Sequence, residues 1–387
     1  MRVSSAKAEK MKSFERFIST PTMNTTFTGH ISQFLTQLQT ELLPVLREDL
    51  ELELSPALEK VIRVLELVQV ERFIPASRGW VGAPPKDRVA LARALVAKAV
   101  LNLPTTEGLI DRLKVDQALR QVCGFDRRHR IPGAWRFSRA FAEFAAGQLP
   151  ARVHEALIGA HLGDQLIGHI ARDATEIEAR EKPVAAAESP QPKPRGRPKK
   201  GEERVKEPTR LERQTQRTLA ENLAELPKAC DVGSKKNSQG YKETWVGYKL
   251  HLDTADGGLP VAAILTSASV HDSQVALPLM PLSSQRVTYL YDLADAAYCS
   301  PVIRDEARRL NHVPLIDHNP RRGEKIDFAP HEAQRYKARS QAERVNSQLK
   351  DNHGGRHVRV RGHDKVYAHL MFGVLVIAAE QILRLFH

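Results

Sequence analysis

At 387 residues, 42% of them apolar, the chain can bury two or three cores and is neither a disordered protein nor a small stapled one. Lys and Arg number 58 against 46 Asp and Glu, a net charge of +12 that favours a polyanionic partner. A membrane is disfavoured. Met1 to Ser19 carries charges throughout with no apolar signal core, and the longest apolar stretch, Leu370 to Ala379, is about half the roughly 20 residues that span a bilayer.

Residues 1–160 read as a helical domain. Apolar residues recur at helical spacing over Leu42–Val70, Val89–Leu101 and Ala140–Ile158. Thr105 is placed to cap a further helix that Cys123-Gly124 ends. Arg127-Arg128-His129-Arg130 then leads through Pro132-Gly133 into Trp135-Arg136-Phe137-Ser138-Arg139. Short helices with arginines at the joints make either a DNA-binding helix-turn-helix or a bundle with a basic rim.

Residues 161–387 read as a second domain. A strand is predicted over Gln165–Glu178, followed at about 184–228 by a basic, disordered insertion without apolar periodicity. Within it, the Lys193–Gly201 segment resembles an AT-hook, in which Arg195 and Arg197 would follow the A·T minor groove. The alternative is a solvated linker that meets phosphate only. A hairpin follows, with strands at Thr244–Leu252 and Leu259–Thr266, then a helix after His271 capped by Asp272 or Ser273. Strands at Val287–Leu293 and Val313–Ile316 flank a helix at Ser300–Leu310; helices at Arg335–Leu349 and His363–Phe386 complete the order. Three meander strands followed by alternating helices and strands predict an α/β fold, an RNase H-like mixed-sheet domain behind an all-helical one. The three cysteines, Cys123, Cys230 and Cys299, fit neither a disulfide framework nor a zinc site and suit a reducing cytoplasm.

Phosphodiester chemistry asks for charge neutralisation at the phosphate, an activated hydroxyl and a stabilised leaving oxygen. Two magnesium ions (Mn2+ substituting) held by carboxylates supply all three. Asp173 lies in the first predicted strand, Asp295 ends a buried one, and Glu343 sits on a later helix. Tyr336, Arg339, Glu343 and Lys350 would share one helical stripe, an acid with two cations and a phenol. On spacing alone such a stripe is equally a salt-bridged surface. Asp231 competes with Asp173, and Asp292 with Asp295. Trp245 reads as packing. Arg356, Arg359 and Arg361 form a cationic strip suited to positioning DNA by its phosphates.

The Tyr336-x2-Arg339-x3-Glu343-x6-Lys350 pattern resembles the signature around the catalytic Glu of bacterial insertion-sequence DDE transposases. Asp173-Ala174-Thr175 and Asp295-Ala296-Ala297-Tyr298 are similar to the first- and second-Asp motifs of that group, and the resemblance spans about residues 90–387. It implies Asp173, Asp295 and Glu343 as catalytic metal ligands, with Tyr336, Arg339 and Lys350 toward DNA. It also implies cut-and-paste transposition, a metal-activated water and then a DNA 3′-hydroxyl serving as nucleophiles. The expected partners are double-stranded DNA, as the element's terminal inverted repeats and its target, and further copies of the chain in a dimer or larger synaptic complex. The expected location is the bacterial cytoplasm, at the nucleoid. An RNase H-like nuclease without strand transfer and a domesticated DNA-binding protein are the alternatives.

Overall fold

The structure, a computed structural model, describes residues 55–75, 87–125, 127–184, 208–236, 239–320 and 324–386. Pro56 to His387 fall in one compact unit. Its first part is helical: α1 (Pro56–Val68), α2 (Arg88–Val100), α3 (Thr106–Val115), α4 (Gln117–Cys123), α5 (Ala134–Ala146) and α6 (Leu149–Leu162). The caps anticipated from sequence are present. Thr105 Oγ1 accepts the Gly108 N–H at 3.0 Å, and Gly124 closes α4 in the left-handed region at φ 93°.

The sheet part begins with β1 (Leu166–Glu178), then two short helices, α7 (Arg210–Gln214) and α8 (Leu219–Glu225). These two revise the expected insertion, because residues 210–225 are folded. Thr209 and Thr218 each start a capping box with Glu212 and Glu221, a local signal that the charged composition masked. The AT-hook-like segment, with Arg195 and Arg197, lies outside the described residues. There follow β2 (Asp231–Lys236), β3 (Lys242–Ala255), β4 (Leu259–Ser267), α9 (Ser273–Arg286), β5 (Thr288–Ala294), α10 (Pro301–Arg309) and β6 (Val313–Ile316). The last elements are α11 (Pro330–Tyr336), α12 (Ser340–Asn352) and α13 (His363–Phe386). Strands β1, β2 and β4 pair antiparallel with β3, whereas β1, β5 and β6 run parallel. This mixed sheet behind a helical region is the RNase H-like arrangement.

Alternation along the strands sorts side chains to two covered faces. Ile177, Tyr248, Leu250, Leu252 and Leu265 pack under α12 and α13. Ala294 and Ile316 meet α9 and α10 on the other side, where Ala262 and Ile264 pack beneath α9. Helix α13 is long and apolar enough to cross a membrane by length and composition, but its middle, Leu370–Ala379, is buried inside the protein. It packs on α1, α2, α5 and α6 as well as on β4 and α12, so the helical and sheet parts share it.

A cluster of buried charges sits in this apolar setting. Arg172 on β1 is 1% exposed and donates from Nη2 to Asp253 on β3 (2.8 Å) and to Asp292 on β5 (3.2 Å). Ser283 Oγ donates to Asp253 at 2.7 Å, and the Tyr289 hydroxyl lies 3.4 Å from both oxygens of Asp292. One cation thus spans three adjacent strands. Arg172→Met would leave two buried carboxylates without a counter-ion, and urea unfolding should show a loss of about 3–5 kcal/mol. Replacing Asp253 and Asp292 by Leu in the same protein should restore most of that loss; an unchanged midpoint for the single variant would show that the triad does not hold the sheet.

Candidate active site

The parallel register pairs Arg172 with Ala294. Asp173 follows on β1 and Asp295 directly after the end of β5, where its side chain accepts the Ala297 N–H, so the two aspartates are neighbours on the side opposite the Arg172 triad. Helix α12 lies over that face: Ala342 packs with Ala171 and Leu293, and Asn346 Nδ2 donates to Asp173 Oδ2 at 2.9 Å. Glu343, one helical turn before Asn346, pairs with Arg339 at the head of the helix.

These acids are held against their preference. Burial pushes Asp173 up to about 6 against the pull of Arg339 and Asn346, and the neighbouring Asp295 adds to the rise. Asp295 is also raised, first by burial and then by Asp272. Arg339 is the common cation: it lowers both aspartates and forms the ion pair with Glu343. Low-dielectric acids close to one another create demand for positive charge that a single guanidinium meets only in part.

The sequence-predicted residues divide as follows. Tyr336, Arg339, Glu343 and Lys350 do not lie on one straight helix, because a 3-10 turn at Lys337–Arg339 separates α11 from α12. All four still serve the same region. The Tyr336 hydroxyl donates to the carbonyl of Ala294, beside Asp295, at 3.3 Å, and Lys350 Nζ donates to Glu176 on β1 at 2.7 Å. Arg359 and Arg361 line a separate cavity between α2 and α13. Asp231 is remote: it pairs with Gly247, five positions along β3 from Leu252, the partner of Asp173, or ~17 Å. Asp292 belongs to the buried triad on the opposite face. Asp272 is not a side-chain cap, since its carboxylate binds Lys249 at 2.9 Å and leaves the first turn of α9 to His271 and Ser273. Trp245 is buried against Gly233, with Nε1 donating to the carbonyl of Tyr248.

Two participants were not anticipated. Asn346 follows Glu343 by three residues and precedes Lys350 by four, so helical spacing marks it as part of their face. Glu176, three residues after Asp173, gathers both Lys350 and Lys235; burial opposes its charge, but those hydrogen bonds hold it down at about 2. Among the described residues, no three His, Cys, Asp or Glu side chains stand close enough to share one ion. The arrangement offers two adjacent aspartates and a third acid that a cation currently holds aside. The donor set is all oxygen, and its two half-buried aspartates lack enough positive charge, which suits a hard divalent ion.

Two family models match this chain. The transposase DDE domain matches residues 165–378, from the start of β1 into α13. A second transposase domain, DUF772, matches residues 48–143 in the helical part. No curated protein and no solved structure matches the chain. A DDE domain of this extent supports a function of the DNA transposase or nuclease type. The match covers more than half of the sequence, and the chain belongs to the DDE-domain transposase family.

Proposed function

We propose that this protein is a cut-and-paste DNA transposase of the insertion-sequence branch marked by the Tyr-Arg-Glu-Lys signature. In this reading Asp173, Asp295 and Glu343 hold two magnesium ions. The observation that carries it is the register that sets Asp173 beside Asp295 beneath the helix bearing Glu343. When bound, two such ions neutralise the scissile phosphate, activate the attacking water or 3′-hydroxyl and stabilise the leaving oxygen.

The chain's own residues prepare that chemistry. Asn346 orients Asp173 by donating to Oδ2, and the Ala174 backbone N–H also holds the carboxylate, so its position is set before any ion arrives. The Tyr336 hydroxyl fixes the end of β5 and so positions Asp295. Arg339 holds Glu343 until phosphate oxygens compete for the guanidinium, so DNA arrival and completion of the acid set are coupled. Lys350 and Lys235 both bind Glu176, Lys235 also lying 4.0 Å from Glu243, and Lys350 is the cation beside β1 placed to meet a DNA phosphate. In the helical part, exposed Trp135 with Arg136 and Arg139 stacked on it at 4.8 and 5.2 Å offers a surface for the element ends. Rejoining needs two ends held at once, so a dimer or larger complex is the working unit.

Supplying pre-cut element ends with target DNA and magnesium tests the reaction directly. Joined product is the expected result, while cleavage without joining would make the protein a nuclease of the same fold. Asp173→Asn should lower both steps about a hundredfold or more, beyond the 10–100-fold cost typical of outer-shell changes. It should also stabilise the fold. The carboxyl is raised to about 6 in the native protein, so its ionisation costs up to about 3 kcal/mol above that pH and nothing below pH 3.8. The gain in Tm should therefore be full at pH 8 and fade on acidification; a variant that melts lower at pH 8 would contradict this account. Lys350→Gln should raise KM for DNA about tenfold, the cost of one charge-assisted contact, with kcat little changed. A fall in Tm at unchanged KM would assign the lysine to structure alone.

A further inference from the structure

A cavity of 320 Å³ lies between the helical part and the segment after α12. Lys98 of α2, Arg359, Arg361 and Lys365 line it, together with an apolar floor that includes Phe137 and Phe372. No carboxylate lines it, and among the described residues no ion pair within 4.0 Å joins any of these four cations to an acid. Burial and the nearby Arg359 bring Lys98 down to about 8, a sign of positive charge crowded without compensation. Lys98 is half-buried and close to Arg359, while Arg359, Arg361 and Lys365 stand exposed at the mouth, so the group presents positive charge to an anion arriving from solvent.

The wall is firmly built. Asn102 bridges the end of α12, its Nδ2 donating to the carbonyl of Asp351 at 2.8 Å and its Oδ1 accepting the Gly354 N–H at 3.1 Å. His369 Nε2 binds the Gly354 carbonyl at 3.0 Å, and His353 Nδ1 the carbonyl of Ala99 at 3.2 Å. The cations therefore stand on a rigid seam.

We infer that this cavity is a second DNA contact, a subsite that seats one backbone phosphodiester away from the carboxylates. The inference rests on the transposase reading. The volume exceeds what a bare phosphate needs and leaves room for the adjoining sugar, whose apolar face suits the phenylalanines. Glu343 and His353 are ten residues apart on and just beyond α12, or ~15 Å, about four base-pair steps of duplex. One duplex can thus occupy both places, and a phosphate seated here would fix how far along the DNA the acids act.

The test measures duplex binding over a range of salt concentrations, using the full chain carrying Asp295→Asn so that cleavage does not intrude. Lys98→Gln and Arg359→Gln should each weaken binding about tenfold for any duplex sequence, and each should lower the slope of log K against log salt by about 0.9. Both substitutions remove charge from a repulsive cluster, so Tm should hold or rise; should either variant melt early, Arg361→Gln takes its place. Parent affinity and slope in all variants would overturn the subsite. So would a Tm increase from inorganic phosphate that the variants lose while duplex affinity stays intact, since that marks a site for the free anion. Failure of the Asp295→Asn parent to bind any duplex would instead overturn the transposase reading.

Discussion

Arg172, Asp253 and Asp292 lie at the centre of the sheet, where three strands meet at one desolvated guanidinium. Two acids and one base carry a net negative charge there, and burial raises Asp292 despite Arg172. Such a group adds little to net stability compared with apolar packing. What it supplies is register. Strand side chains alternate, so a slip of one residue would send Arg172 to the α12 face and Asp173 to the other. A slip would also strand the two aspartates without a cation. The triad is thus a penalty against every wrong alignment of β1 with β3 and β5. The right alignment is the one that makes Asp173 and Asp295 neighbours.

The opposite face carries the cost that the proposed metal site would impose. Asp173 and Asp295 are carboxylates in a setting that disfavours their charge, and Arg339 is spread across three acids. A fold selected only for stability would place amides or apolar groups at these positions. The polar support that remains is economical: Asn346 binds Asp173, Tyr336 binds the carbonyl beside Asp295, and Glu176 collects two lysines. Each supporting group comes from a different element, so the site depends on the whole α12–sheet contact.

Much of this was legible in the sequence because local rules produce local features. The hairpin, the Thr105 and Gly124 caps and the buried C-terminal helix follow from periodicity and turn chemistry. The failures share a cause. Tyr336 to Lys350 reads as one helix, and no residue in it announces the 3-10 turn at Lys337–Arg339. Asp272 has the composition of a cap, but a lysine from β3 claims it. Arg172 and its partners lie 81 and 120 residues apart, and no spacing rule reaches that far. A hint was present in Arg172 two residues after Ile170, a charged group on the same face of β1 as a buried apolar one. Residues 210–225 were obscured by their composition, although Thr-x2-Glu occurs there twice.

Helix α13 joins the sheet to the helices before it. It is made after every other described element, yet α1, α2, α5 and α6 all pack on it. Emerging from the ribosome, the early helices have their apolar faces ready long before their partner exists. A shortened copy of the gene that ends before α13 would therefore not release a free-standing DNA-binding fragment able to occupy element ends. It would yield a chain with an open core, a substrate for proteases.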